Sequence, residues 1–287
     1  AYYQRILGDI NLVKSILKEE LAAIRDKFGD GRKTEIQDVE DEIDVEDLIE
    51  EEDCCYTLSS QGYIKRMPVD TYRSQRRGGR GISGQNLKEE DYVKSIFVAS
   101  THDYVLFFTD MGRVYKKKGY LIPEASRTAR GTAIVNVLPL EPGEKVTAML
   151  LTREFSEDEY LMMVTKNGTV KRLALQAVNT NRKAGIRALT LDEGDHLISV
   201  MKTSGNDRII LATAQGMAIC FSETDVRSMG RDASGVKGIT LAPDDYVIGA
   251  EKVEENKSLL TVTANGYGKR TDTVSYTHLT LPTTSRV

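Results

Sequence analysis

The stretch LMMVTKNGTVKRL, residues 161–173, decides how the rest of the chain is read. An apolar run is followed by a turn at Gly168 and a second run carrying Lys171 and Arg172. Short runs of this kind around a glycine read as a β-hairpin, because glycine supplies the positive φ that a tight turn needs. The pattern recurs as YTLSSQGYIKRM with Gly62, VLFFTDMGRVYKK with Gly112, IILATAQGMAICF with Gly216 and LLTVTANGYGKRT with Gly266. The steps between these glycines are 50, 56, 48 and 50 residues. A second marker runs in phase. RGISGQNLKEEDYV, RGTAIVNVLPLEPGEKV, AGIRALTLDEGDHL and SGVKGITLAPDDYV place glycines at 81, 131, 185 and 235, and each stretch ends in an acidic turn before Val93, Val146, Leu197 or Val247. Two independent markers with one period of about 50 residues, all strand, predict the blades of a propeller-like all-β fold. Residues 54–257 hold four repeats, and a fifth begins near Ser258.

The N-terminal part differs. Tyr3, Ile6, Ile10, Val13, Leu17, Leu21, Ile24 and Phe28 recur at steps of three or four, which predicts one amphipathic helix ending at Gly29 as its C-terminal cap. From Asp38 to Asp53 the chain carries 11 acidic residues in 16 and no basic one. This stretch reads as a solvated linker; a sharper alternative is an anionic mimic of nucleic acid competing for a basic surface. The boundaries are therefore a helical segment 1–29, an acidic linker 30–53 and the repeats 54–272.

Charge is divided in the same way. The chain of 287 residues has a net charge of −4, but residues 1–53 contain 17 Asp and Glu against 7 Lys and Arg, so the repeats are net basic. Three scattered histidines and Cys54, Cys55 and Cys220 offer no metal-ligand spacing and no disulfide framework. No run of about 18 apolar residues is present to cross a bilayer. A cytoplasmic protein without membrane partners or a metal site is expected.

Within SQRRGGRGISG, residues 74–84, Gly79, Gly81 and Gly84 match the spacing of a dinucleotide fingerprint. That motif must follow a strand and open a helix in a βαβ unit, whereas here it joins strands of an all-β repeat. A P-loop would need a following G-K-[ST], and a disordered arginine–glycine tract would repeat its units.

Gln75-Arg76-Arg77-Gly78-Gly79-Arg80-Gly81 resembles the seven-residue Q-R-R-G-G-[RK]-G box of the DNA gyrase A C-terminal domain family. RDKFGDGRKTEI (25–36) is similar to the segment where the helical arm of gyrase A gives way to the linker. THDYVLFFTDMGRVYKKKGYLIPEASRTARGTAIVN (101–136) resembles its second blade, and NGYGKRT (265–271) the opening of its fifth. The paralogous protein of topoisomerase IV has similar blades but a degenerate or missing box.

The resemblance implies a β-pinwheel, a propeller relative in which neighbouring blades exchange strands, around whose basic rim double-stranded DNA wraps to support ATP-dependent negative supercoiling. It implies gyrase B and a second copy of gyrase A as partners. ATP and magnesium would serve other regions, with no cofactor in this chain. In the family, loss of the box removes supercoiling and leaves other strand passage. The family's catalytic tyrosine stands in an Arg-Tyr-Thr context that does not occur here, so no DNA cleavage by this chain is expected. Residues 273–287 are expected to match neither the repeat nor the family.

Basic residues recur at fixed phases. Lys65 and Arg66, Arg113 with Lys116, Lys117 and Lys118, Lys171 and Arg172, and Lys269 and Arg270 follow the hairpin glycines. Arg76, Arg77 and Arg80, Arg127 and Arg130, Arg182 and Lys183, and Arg227 and Arg231 precede the second glycines or their equivalents, and Arg187 follows one. Any one such pair alone reads as a solvated strand end. The periodic set, with the box, is the candidate DNA-binding surface. Alternatives are a C-terminal domain of topoisomerase IV and a propeller used for protein interaction.

Overall fold

The computed structural model describes residues 2–30, 45–71, 91–254, 256–272 and 279–280. Two compact units divide at Leu48 and Ile49. In the first, the helix expected as one piece is two: α1 (Tyr2–Gly8) and α2 (Ile10–Phe28). Asp9 makes the break. Its backbone is extended, with φ −133°, and its carboxylate accepts the Asn11 amide at 2.9 Å, capping α2. Gly29 ends α2, but not by the left-handed turn expected of a glycine cap. Its φ is −72° and its amide donates to the Arg25 carbonyl at 2.6 Å.

The second unit is built from the predicted hairpins. β1 (Asp53–Ser59) and β2 (Tyr63–Pro68) pair, and β3 (Val93–Ser100) lies along the other edge of β1. The second hairpin is β4 (Tyr104–Thr109) with β5 (Arg113–Lys118). The chain then returns to the first blade, where β6 (Thr132–Ala133) pairs with β2, before β7 (Val146–Thr152) completes the second. The cycle repeats with β8 (Tyr160–Thr165), β9 (Thr169–Ala174), β10 (Ile186–Arg187) and β11 (Leu197–Thr203). It repeats again with β12 (Arg208–Thr213), β13 (Met217–Ser222), β14 (Val236–Lys237) and β15 (Val247–Val253). β16 (Ser258–Val262) and β17 (Gly268–Asp272) form the fifth hairpin.

The sheet orders are β3-β1-β2-β6, β10-β5-β4-β7 and β11-β8-β9-β14, so each blade is closed by a two-residue strand donated from the next repeat. The fourth blade, β15-β12-β13, receives β18 (Leu279–Thr280) in the same place. That strand lies in the stretch 273–287 expected to match no repeat; its backbone takes the invading position at the edge of the fourth blade.

A tertiary demand explains why β4 and β8 carry apolar side chains on both faces rather than alternating. Val105 and Phe107 pack with Tyr56, Leu58 and Ile64 of the first blade. Their alternate neighbours Leu106 and Phe108 pack with Leu161, Met163 and Leu173 of the third. Met162 and Val164 in turn face Ile209 and Leu211 of the fourth. A strand sandwiched between two sheets buries both of its faces, and period two then carries no polar side.

A smaller rule holds each turn. The residue three before the hairpin glycine is Ser59, Thr109, Thr165, Thr213 or Thr263, and its hydroxyl accepts the amide of the residue after the glycine at 3.1–3.3 Å. The glycines between lie at φ +74° to +84°.

Candidate nucleic-acid interface

The acidic turns that mark each repeat dock onto these hairpin turns. The Ser60, Asp110, Lys166 and Ala214 amides donate to the carbonyls of Tyr92, Lys145, His196 and Tyr246. In three repeats an aspartate fixes the contact. Asp91 accepts from the Gln61 and Tyr92 amides, Asp195 from Asn167 and His196, and Asp245 from Gln215 and Tyr246, all at 2.8–3.0 Å. Burial opposes the charged form, but the Ser60 and Ser59 hydroxyls at Asp91 and the Thr213 hydroxyl at Asp245, together with these amide bonds, hold both carboxyls below the usual range. In the second blade the longer Glu144 turns inward instead. It accepts from the Thr109 hydroxyl at 2.6 Å, the Tyr115 hydroxyl at 2.9 Å and the Glu141 amide at 2.8 Å. Burial and this bond push the Tyr115 phenol up to about 12. The acidic turns are thus internal fasteners.

The second set of glycines marks where the chain enters the neighbouring blade. Gly131, Gly185 and Gly235 have φ of +98°, +70° and +98°. A Cβ on Gly131 would stand 2.5 Å from the Ile64 carbonyl oxygen, and one on Gly235 2.6 Å from that of Val170. Glycine is required twice over, by backbone conformation and by close approach. Immediately before each of these glycines runs a loop carrying basic side chains.

Arg130, Arg182, Lys183, Arg187, Arg227 and Arg231 are exposed on these loops or just beyond them, and Arg127 is half-buried. Arg130 lies over the Tyr63 ring at 5.3 Å. Lys269 and Arg270 are exposed on β17. Lys237, exposed on β14, belongs to the same group, although the periodic pattern of the sequence does not include it. The available signal was its place two residues after a marker glycine, which Arg187 shares.

Lys65 and Lys171 are corrections. Both are fully buried. The Lys65 ammonium donates to the carbonyls of Ser126 at 3.2 Å, Arg127 at 2.7 Å and Ala129 at 3.0 Å. Lys171 donates to Ala188 at 2.8 Å, Arg231 at 2.6 Å and Ala233 at 2.8 Å. Burial pushes both ammonium groups down, Lys171 to about 8. Neither ammonium faces solvent, so neither can meet a phosphate. Their periodic spacing records a repeated internal contact.

In the first three hairpins the next residue is also bonded to its surroundings. Arg66 donates to the Ile122 carbonyl at 2.9 Å and lies 3.4 Å from both Glu52 and Glu124. Arg172 donates to the Glu223 carbonyl at 3.2 Å and lies over the Tyr160 ring at 4.7 Å. Lys116 donates to the side-chain oxygens of Asn179 at 2.8 Å and Asn181 at 3.4 Å. Lys118 donates to the His102 carbonyl at 2.9 Å, over the Tyr104 ring. Arg113 pairs with Glu141 at 2.5 Å and donates to the Ala184 carbonyl at 2.8 Å. Lys117 is half-buried. The sequence pattern thus mixes two populations: in the first three hairpins the cations after the hairpin glycine are mostly tied into the blades, whereas those around the second glycine, with Lys269 and Arg270 of the fifth hairpin, are mostly exposed. The box residues Gln75, Arg76, Arg77, Gly78, Gly79, Arg80 and Gly81 lie outside the described residues.

The acidic stretch meets the fold at its end. The Glu52 carbonyl accepts the Thr101 amide at 2.9 Å, the Ser100 hydroxyl donates to the Glu51 carboxylate at 3.0 Å, and Glu51 pairs with Arg153 at 3.0 Å. Residues 49–52 are therefore docked, and residues 31–44 lie outside the described residues. No described helix is long and apolar enough to cross a membrane.

The comparisons agree with the topology. The model of the DNA gyrase C-terminal domain, beta-propeller, matches residues 56–100, 103–153, 159–204, 207–254 and 257–276, so residues 273–276, expected to lie outside the family, fall within it. The chain is 49% identical over 235 residues to the DNA gyrase A protein of Clostridium acetobutylicum, covering 82% of the chain and 28% of that protein. It is 48% identical over 279 residues to the DNA gyrase A protein of Salmonella typhimurium, covering 97% and 31%. It thus spans about three-tenths of the length of these relatives. A solved DNA gyrase A C-terminal domain superposes with a TM-score of 0.60 at 28% identity, covering 76% of this chain and 71% of that one. The C-terminal domain of DNA topoisomerase IV superposes with a TM-score of 0.68 at 25% identity, covering 81% and 71%. With its blades, its exchanged strands and the matched repeats in register, this chain belongs to the DNA gyrase C-terminal domain family of β-propeller proteins.

Proposed function

We propose that this chain binds double-stranded DNA without base readout and bends it along successive blades, supporting negative supercoiling by a gyrase holoenzyme that contains gyrase B and a second copy of gyrase A. The observation that carries the reading is the repeated placement of exposed Arg and Lys on the loops before Gly131, Gly185 and Gly235. Phosphate contacts position a duplex and carry no sequence information, so repeated charge suits wrapping. Bending about 40 base pairs through half a turn costs on the order of 10 kcal/mol, extrapolating elastic estimates. One charge-assisted contact gives about 1.5–3 kcal/mol at best, and less when exposed. Several blades must therefore share the grip, with the box as one contributor. Arginine fits because its planar fork can take two phosphate oxygens at once.

The test is DNA affinity across a salt series. Counterion release lowers log K by about 0.9 per log salt for each phosphate neutralised. Replacing Arg127, Arg130, Arg227 and Arg231 by alanine should reduce the slope by up to about 3.6. A flat response in the unsubstituted chain would favour a protein-interaction module instead. The topoisomerase IV fold likeness supports a second reading within the same class, a wrapping domain without supercoiling; whether an unsubstituted holoenzyme supercoils or only relaxes separates the two.

A further inference from the structure

Two buried lysines have no role in phosphate contact, yet each is committed to the loop that carries exposed arginine in the next repeat. Lys65 stands on β2 and holds the carbonyls of Ser126, Arg127 and Ala129. Lys171 stands at the equivalent place on β9, three residues after its hairpin glycine, and holds Arg231 and Ala233, together with Ala188. Counted back from Gly131 and Gly235, the shared acceptors fall at the same two positions, four and two residues before the glycine. The first of the two is an arginine in both loops.

An ammonium has three donors, and each of these meets three carbonyls. The intervening blade solves the same problem by other chemistry. Tyr115 takes the lysine's place, and the neighbouring Lys116 reaches across to Asn179 and Asn181 of the loop before Gly185. Three successive blades therefore fasten the following loop with a cation from the hairpin strand.

We infer that Lys65 and Lys171 are positioning residues for DNA binding, each fixing the backbone of the next blade's arginine loop so that Arg127 with Arg130, and Arg231, are presented in a set geometry. This rests on the DNA-binding reading above. Ordering a loop on contact with a ligand subtracts from affinity, and a loop fastened beforehand avoids that cost. Replacing either lysine by methionine strands the three carbonyls it holds and should also lower stability, so salt slope and loop exchange, rather than melting temperature, read the positioning role.

The experiment uses the full chain with Lys65→Met and Lys171→Met. Affinity for a linear duplex of mixed sequence is measured across a salt series, and amide exchange is followed in residues 125–131 and 229–235. Exchange in the corresponding loop should rise at least about tenfold, since a fastened loop exchanges only on opening. The salt slope should fall by about 1.8 for Lys65→Met and about 0.9 for Lys171→Met, one step per arginine released. Adding Lys65→Met to Arg127→Ala and Arg130→Ala should lower the slope no further, because coupled residues are not additive. A lysine that serves stability alone would lower the melting temperature and leave slope and loop exchange unchanged; that result overturns the inference. Where a methionine variant does not fold, Lys65→Gln or Lys171→Gln, which keeps donors but not the charge, is read by the same two measures. A flat salt response in the unsubstituted chain would sink the DNA-binding reading, while loop exchange would still decide whether the lysines fasten the loops.

Discussion

Replacing Gly131 by alanine tests the strand exchange on which the basic surface depends. Gly131 holds φ at +98°, and an added Cβ would meet the Ile64 carbonyl oxygen at 2.5 Å and its carbon at 2.9 Å. The conformational penalty alone is about 1–2 kcal/mol. The clash can be relieved only by moving backbone away from β2. That would disturb the pairing of Tyr63 with Ala133 and Ile64 with Thr132, and the bond from the Ile134 amide to the Gly62 carbonyl at 2.8 Å. Each backbone bond lost costs about 1 kcal/mol. Ile134, 6% exposed and packed with Leu58 and Ile64, would also be loosened, at up to about 1.5–3 kcal/mol. Gly194 supplies the control: its φ is +77°, and nothing lies within 4 Å of an added Cβ. Gly194→Ala should cost only the conformational part, about 1–2 kcal/mol, whereas Gly131→Ala should cost roughly 3–5 kcal/mol. Urea unfolding followed by circular dichroism measures both. If Gly131→Ala fell within about 1 kcal/mol of Gly194→Ala, the close approach would not be closing the first blade.

The remaining predictions concern the box and two buried ionisable groups. In a full-length holoenzyme, Arg76→Ala, Arg77→Ala and Arg80→Ala together should abolish supercoiling and spare relaxation; equal loss of both in gel assays would make the box structural, supercoiling left intact would refute its role, and an unsubstituted holoenzyme that relaxes but never supercoils would favour the topoisomerase IV reading. Lys171 titrates at about 8 in the fold against an ordinary 10.5, so between those values the unfolded chain holds a proton that the folded chain has released. Its contribution to stability therefore rises with pH across that window, and Lys171→Met should remove this slope from urea midpoints taken at pH 8 to 10. Tyr115 has the opposite sign. Its pKa is raised from 10 to about 12, so its contribution is full below 10 and is lost as pH climbs towards 12, and Tyr115→Phe should abolish that loss.

The architecture was legible because its signals are local and repeated. Hairpin glycines at 62, 112, 168, 216 and 266 are required by turn geometry, and any chain with them at a common period declares its blades. The interface was legible only in part. Lys171 and Arg231 look alike on paper, each a cation at a recurring phase. One is sealed under a loop and the other stands on that loop, and the difference arises because the donated strand folds the second over the first. The acidic turns show in sequence only as markers; in the fold three of them give their charge to hairpin amides of the same repeat.

By itself, then, the amino-acid order determined the number of repeats, the strand-turn-strand unit and the family, through residues whose demands are met by their nearest neighbours in the chain. Which cations face outward was decided only by tertiary structure. That choice depends on contacts between residues about 60 positions apart, such as Lys65 with Arg127 and Lys171 with Arg231. Burial allows an ammonium only where carbonyls from another repeat replace its water.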